Sequence, residues 1–203
     1  MRYSYYQRLS EADRRTYRKS DAVTTLELPD IAALHPLVAR LRAALESGRR
    51  AETERAARGL CDALAGQLSV PGMVVKVRAR RPKDGGGELH GLYTYEDGVP
   101  PQIEVWMRTA AHERVVAFRT FLRTLLHEVA HHLDLSLLKL PDTFHTEGFF
   151  RRESSLTRQL APTSPRRRAQ PAVGPKPVTR PAKRPRTSRT RERRQLSLFE
   201  ETG

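Results

Sequence analysis

The sequence predicts an α+β fold, in which helices surround a small, mostly antiparallel three-stranded sheet and a basic tail follows. Apolar residues recur at helical spacing over residues 31–45 and again over 115–133. Between these stretches, residues 73–107 are rich in β-branched and aromatic side chains and are interrupted by glycine turns. After residue 160 the chain becomes rich in proline and arginine, which predicts a disordered segment.

The elements are predicted in chain order from local signals. Ser10 and Asp30 are suitable N-caps for a short first helix and for a helix that ends near residue 47. Thr109 is the predicted cap of the long helix that Pro141 ends. The remaining predicted elements are a helix over 51–68, strands over 73–80, 89–95 and 103–107, the long helix over 111–138, and a last helix that starts between 142 and 147 and ends near 159. Short links between the strands favour antiparallel hairpins.

Charge and composition divide the 203 residues into four parts. Residues 1–29 form a polar N-terminal segment, and 30–160 are long enough for one domain with a core. Residues 161–194 form a basic Pro/Arg-rich tail, and 195–199 form a short apolar peptide. The formal net charge is +14, of which the part after residue 160 carries +9 through twelve basic and three acidic residues.

Composition also excludes several classes of protein. The single cysteine, Cys61, excludes a disulfide framework and a cysteine-based zinc ribbon, and its apolar helical neighbours predict a small buried side chain. The N-terminus shows no apolar signal segment, and no apolar run has the length of a bilayer span. We therefore expect a cytoplasmic protein that does not interact with a membrane.

The string His127-Glu128-Val129-Ala130-His131 is an HExxH box on the predicted long helix. Its two histidines lie one turn apart, so both imidazoles can reach one Zn²⁺ ion. Glu128 is the predicted catalytic base: it takes a proton from water whose pKa zinc lowers, and hands that proton to the leaving amine.

A catalytic zinc site usually has three protein ligands, and three residues downstream could supply the third. His145 follows the turn at Pro141, Glu147 lies two residues later, and Glu153 lies on the last predicted helix. We favour His145.

Two neighbours of the box also have predicted positions. Asp134 could orient an imidazole, whereas His132 is expected to be exposed or capped by Glu128.

The strings HEVAHHLD (127–134) and HTEGF (145–149) resemble the SprT-like or Spartan-type zinc metalloproteases over roughly residues 30–160. The resemblance implies a minimal zincin-like domain with an HExxH helix and a helix that carries the third ligand. It implies His127, His131 and His145 as zinc ligands, Glu128 as the base and Phe149 as a packing residue. It further implies a DNA-dependent endopeptidase that degrades proteins crosslinked to DNA. Zincins pair substrate with an edge strand, here predicted to be 103–107 or, alternatively, 89–95.

The tail predicts two partners. Its basic residues can neutralise phosphates, which predicts DNA binding and a nucleoid-associated location. The string Gln195-Leu196-Ser197-Leu198-Phe199 resembles the pentapeptide that docks bacterial proteins on the replicative sliding clamp. Spartan-type proteins of eukaryotes also carry a clamp-docking peptide in a C-terminal tail. The candidate DNA-binding residues are Arg166, Arg167, Arg168, Lys183, Arg184, Arg186, Arg189 and Arg191.

Three functions therefore compete at the level of sequence. The first is a DNA-associated zinc endopeptidase that the clamp recruits. The second is a regulatory, repressor-cleaving zinc peptidase of the ImmA type, which would explain HExxH but neither the basic tail nor the apolar peptide. The third is a clamp- and DNA-bound adaptor with structural zinc, for which Glu128 would have no use.

Overall fold

The computed structural model describes residues 3–82 and 89–161, and this part of the chain is α+β. A 3₁₀ helix over Ser4–Arg8 comes first. The α-helices are α1 (Glu11–Ala22), α2 (Ile31–Glu46), α3 (Arg50–Leu68), α4 (Phe118–Ser136) and α5 (Glu147–Leu160). The strands are β1 (Val74–Arg78), β2 (Gly91–Glu96) and β3 (Val99–Trp106).

Side-chain caps start two helices where the sequence places them. The Ser10 hydroxyl accepts a hydrogen bond from the Asp13 amide at 3.1 Å, and the Asp30 carboxylate accepts one from the Ala33 amide at 3.0 Å. Each bond satisfies an amide that the first helical turn leaves without a backbone partner. The predicted starts of α1 and α2 are confirmed.

The sheet is mixed, so the prediction of a mostly antiparallel sheet is wrong. The strand order is β1-β3-β2, with β1 parallel and β2 antiparallel to β3. Ile103 and Val105 of β3 are fully buried, whereas β2 is half-buried or exposed along its length. β3 takes the central position, where both of its edges are paired.

The long helix begins later than the sequence predicts. Residues 108–117 instead fold back on themselves through a bridge between Arg108 and Val115, and the Val116 amide donates to the Met107 carbonyl at 2.9 Å. Glu113 has φ 51° at the turn. Thr109 therefore does not cap α4, which starts after Ala117.

Helix α4 contacts β2 and β3 on one side and α5 on another, while α1 packs against α5. The apolar stripe of α4 joins the core, which includes Leu122, Leu125, Leu126 and Val129. The helix is therefore held on several sides at the HExxH box. Within the described ranges, no helix combines the length and apolarity that a membrane crossing requires.

Candidate metal centre

Two histidines of α4 face the same side of the helix, as the spacing predicts. The ring centroids of His127 and His131 are 4.9 Å apart, and both side chains are partly exposed. Leu126 and Val129, on the opposite side, are buried in the core. The packing of α4 thus fixes the direction in which the imidazoles project.

His145 completes the cluster. Its Nε2 atom lies 3.0 Å from Nε2 of His127 and 3.0 Å from Nε2 of His131. These three residues form a group whose ligand atoms all lie within 4.8 Å of one another, close enough to bind one metal ion. The resemblance implies that the third ligand lies on a helix. His145 lies instead in the segment before Thr146, the N-cap of α5.

The two glutamates that competed with His145 have other positions. Glu147 lies in the first turn of α5, where its carboxylate pairs with Arg151. Glu153 is buried, and its Oε2 atom lies 3.0 Å from Nδ1 of His127. Its other oxygen accepts a hydrogen bond from Nε of Arg123 at 2.5 Å. Glu153 therefore contacts the ring nitrogen of His127 that points away from the cluster.

His131 has an equivalent partner. Its Nδ1 atom lies 2.8 Å from the Thr143 hydroxyl, which donates to Oδ2 of Asp134 at 3.1 Å. Because that hydroxyl gives its hydrogen to the carboxylate, it accepts the hydrogen of Nδ1. The orienting role predicted for Asp134 thus passes through Thr143.

These partners assign the tautomers of two histidines. Both His127 and His131 carry the hydrogen on Nδ1, since acceptors lie there, and both present a lone pair at Nε2. Lone pairs directed at one point repel unless a cation lies between them. Nitrogens that bind one tetrahedral zinc ion at about 2.0–2.1 Å are separated by about 3.3 Å. Nε2 of His145 lies 3.0 Å from each of the other two Nε2 atoms, which is near this value. The donor set therefore fits a metal ion.

Electrostatics favour a neutral His131 and an ionised Glu153. Burial, with the neighbouring His127 and His145, holds the pKa of His131 well below its usual value of 6.5, so the ring is neutral at pH 7. Burial opposes ionisation of Glu153, but the hydrogen bonds from His127 and Arg123 outweigh it and lower the pKa of the carboxyl group. The Glu153 carboxylate behind His127 fixes the orientation of that ring.

The predicted base lies against the sheet. Glu128 is 5% exposed, and a Cβ atom added at Gly91 would lie 2.2 Å from its Oε1 atom. Gly91 is the first residue of β2, so the backbone of this strand passes directly beside the carboxylate. A side chain at this position would occupy the space that the carboxylate fills.

The edge strand beside α4 is β2. Residues 103–107 are the first candidate from the sequence, but most of them belong to β3, which pairs on both sides. The alternative, residues 89–95, contains most of β2, which pairs with β3 alone among the described residues. The prediction that 103–107 form an edge is therefore wrong.

His132 is neither exposed nor capped by Glu128, contrary to prediction. It is 1% exposed, with Nε2 at 2.9 Å from the Pro71 carbonyl and Nδ1 at 3.1 Å from the Tyr93 hydroxyl. Since Nε2 donates to the carbonyl, Nδ1 accepts from the tyrosine. This bond ties β2 to α4.

Phe149 packs as the resemblance implies. It is fully buried, with its ring centroid 4.6–5.2 Å from those of His127, His131 and His145. The ring therefore limits the rotation of all three imidazoles.

Several contributors to the centre have no local signal in the sequence. Thr143, Tyr5, Ser20 and Arg152 reach the site only through contacts between distant segments. The basic tail residues and the peptide at 195–199 lie outside the described residues. No family model, curated protein or solved structure matches the chain.

Proposed function

We propose that this protein is a zinc-dependent endopeptidase of minimal zincin-like architecture, similar to the SprT-like or Spartan-type enzymes. One arrangement carries the proposal: the Nε2 atoms of three histidines converge on one point. Glu128, which follows His127 in the HExxH box, places its carboxylate against the edge strand β2. A site of purely structural zinc would have no need of a carboxylate at this position.

The residues divide the work of peptide hydrolysis. His127, His131 and His145 would hold the ion, which when bound polarises a carbonyl oxygen and lowers the pKa of water. Glu128 accepts a proton on its carboxylate and passes it to the leaving amine. Glu153 and Thr143 keep the Nδ1 hydrogens of two ligands in place, so that the Nε2 lone pairs stay directed at the ion.

The position of β2 suggests how a substrate would enter. An extended peptide can add to the edge of β2 that pairs with no other strand of the described residues. It would do so through backbone hydrogen bonds, which depend little on the side chains of the peptide. Gly91 brings this edge next to Glu128. We therefore expect cleavage of unfolded or flexible protein at many different sequences.

The proposed setting is DNA. The part of the chain after residue 160 carries +9 of the net charge of +14, and the peptide at 195–199 resembles a clamp-docking motif. We propose that the natural substrates are proteins crosslinked to DNA and that the sliding clamp recruits the enzyme. This part of the proposal is supported by the sequence of the tail alone.

The deciding experiment compares the wild-type protein with Glu128→Gln, and with Glu46→Gln as a matched surface control on α2. Zinc content and cleavage of casein and of histones are measured, with and without single-stranded DNA. The proposal expects zinc in all three proteins, DNA-stimulated cleavage by wild type and control, and none by Glu128→Gln.

Other outcomes separate the competing functions. Cleavage by Glu128→Gln at the wild-type rate contradicts the proposed mechanism. Zinc binding without cleavage by wild type favours an adaptor with structural zinc. Cleavage of a single regulatory protein, at a rate that DNA does not change, favours a repressor-cleaving peptidase.

A further inference from the structure

The N-terminal segment, residues 3–23, lies outside the residues that carry the family resemblance, yet it contacts the segment that holds the third histidine. Helix α1 packs on α5, and the 3₁₀ helix before it reaches the loop between α4 and α5. This loop, residues 137–146, is the only covalent link between His145 and the helix that carries the other two ligands. Its position therefore decides whether the three histidines meet.

The most direct contact is to the third ligand itself. The Tyr5 hydroxyl donates to the backbone carbonyl of His145 at 3.0 Å. Tyr17, on α1, packs near Tyr5 and also near Phe144, with ring centroids 6.1 and 6.3 Å apart. The residue before His145 and the carbonyl of His145 thus both rest on the N-terminal segment.

A second contact lies just after the ligand. The Gly148 amide donates to Oδ1 of Asp21 at 2.9 Å and so satisfies a free amide in the first turn of α5. A Cβ atom at Gly148 would lie 2.4 Å from the Asp21 carbonyl oxygen and 2.7 Å from its Cα atom. Backbone cannot move aside as a side-chain end can, so α1 and α5 approach this closely only because residue 148 is glycine.

A buried ion pair joins the same elements. Arg152 is fully buried, and its guanidinium donates to Oδ1 of Asp134 at 2.7 Å and to the Ser20 carbonyl at 2.5 Å. It also donates to the Val23 carbonyl. Removing one partner of such a buried charge is strongly destabilising, so this ion pair holds α1, α4 and α5 together here. Through Asp134 and Thr143, this network continues to Nδ1 of His131.

From these contacts we infer that residues 3–23 are part of the metal centre: they act as a clasp that holds the His145 segment in place against the HExxH helix. Tyr5, Asp21 and Gly148 are positioning residues, because none contacts the ion position. The inference deepens the proposed function, on whose metal site it rests. Its consequence is that the N-terminal segment governs how tightly the protein retains zinc.

The test measures zinc affinity, which requires no peptidase activity. Full-length Tyr5→Phe and Gly148→Ala are titrated against a chromogenic chelator, each beside a control with the same chemical change. Tyr95→Phe removes an exposed hydroxyl on β2, and Gly66→Ala adds a Cβ atom in α3 with nothing within 4 Å. Tyr5→Phe should weaken zinc binding about 3- to 10-fold, and Gly148→Ala about 10- to 100-fold. Both controls should bind as wild type.

Two further readouts separate a clasp from a general loss of stability. A merely structural role would lower the unfolding midpoint of the metal-free protein and leave the zinc affinity of the folded protein unchanged. The cobalt(II)-loaded variants should also show an altered ligand-field absorption in the visible region, because the His145 nitrogen shifts, whereas the controls should not.

Unchanged zinc affinity in folded Tyr5→Phe and Gly148→Ala overturns the inference. If Gly148→Ala fails to fold, Tyr5→Phe alone decides, since it keeps the ring and removes one hydroxyl. An inactive wild-type protein whose zinc affinity still depends on Tyr5 and Gly148 would refute the proposed peptidase but support the clasp.

Discussion

Glu153 contacts the three-histidine cluster through Nδ1 of His127, on the side away from the Nε2 atoms, and this position makes its role measurable. Its carboxylate accepts the Nδ1 hydrogen of His127 at 3.0 Å and is not part of the histidine cluster. Loss of such a partner typically costs 10- to 100-fold in metal affinity, about the effect we expect for Glu153→Ala. His145→Ala should cost more because it removes a ligand, and Glu147→Ala should cost nothing. Chelator competition measures all three.

The opposite ranking would place the ligands differently. If Glu153→Ala removes zinc as completely as His145→Ala does, Glu153 binds the ion and the site resembles that of thermolysin-like enzymes. If Glu147→Ala also weakens binding, the α5 start is more closely coupled to the site than its pairing with Arg151 suggests.

Cys61 predicts a pH dependence of stability. Burial raises the pKa of its thiol from 9.0 to about 12. Because the pKa is higher in the folded state, the unfolded chain loses the proton first as pH rises. The thiol's contribution is complete below pH 9.0 and falls by about 1.4 kcal/mol per pH unit between there and pH 12. Urea unfolding at pH 8 to 10 should therefore show the stability advantage of wild type over Cys61→Ala shrinking. A difference in unfolding free energy between the two proteins that stays constant over this pH range would contradict the prediction.

At the scale of residues, the sequence predicts what helical spacing determines. His127, Glu128 and His131 follow from one helix, and His145 from a short set of candidates. Thr143 and Arg152 were missed because their partners lie on other elements. His132 was misplaced for the same reason: its partners are on β2 and in the loop before β1.

At the scale of elements, the close approach of β2 to α4 positions the carboxylate of Glu128, the proposed base. Gly91→Ala would place a Cβ atom 2.2 Å from Oε1 of Glu128. The end of a side chain can shift, so stability should change little, but the carboxylate can no longer occupy its place. We expect kcat to fall by about 10-fold or more, since a positioned base typically contributes 10²–10⁴. Zinc affinity should stay unchanged.

Gly72→Ala is the matched control, because a Cβ atom there meets nothing within 4 Å. Steady-state kinetics on casein and zinc titration distinguish the outcomes. Full activity in Gly91→Ala would show that the carboxylate works from another position, and loss of zinc would show that β2 supports the ligands as well.

The sequence predicts helices better than the sheet. Helical periodicity is local, so α2, α3 and α5 begin and end near their predicted limits. Strand order depends on which strand buries both of its edges, and this is decided by packing against α3 and α4. The start of α4 was predicted too early because residues 108–117 pair with each other instead of joining the helix.

At the scale of the whole molecule, charge is the main asymmetry. Residues 161–203 carry +9 of the total +14. Deleting 164–194 while keeping 195–203 should weaken binding to single-stranded DNA and reduce the slope of log affinity against log salt, since each neutralised phosphate contributes about 0.7 to that slope. Fluorescence anisotropy at several salt concentrations measures both. Equal affinity and equal slope would show that the tail is only a spacer.

Recruitment by the clamp should be separable from catalysis. The peptide at 195–199 begins fifty residues after His145 in the chain, so changing Gln195, Leu198 and Phe199 to alanine should leave casein cleavage and zinc content unchanged. The same change should abolish clamp binding, because the two apolar side chains would fill the pocket and the glutamine would bond at its rim. A single flexible peptide must be ordered when it docks, so the affinity should be on the order of micromolar.

Calorimetry of a peptide covering residues 193–203 against a bacterial sliding clamp tests this directly, with the triple-alanine peptide as the control. Heat of binding from the first peptide alone supports recruitment. If neither peptide gives a heat of binding at high micromolar concentration, the pentapeptide is a chance match and a regulatory peptidase is favoured.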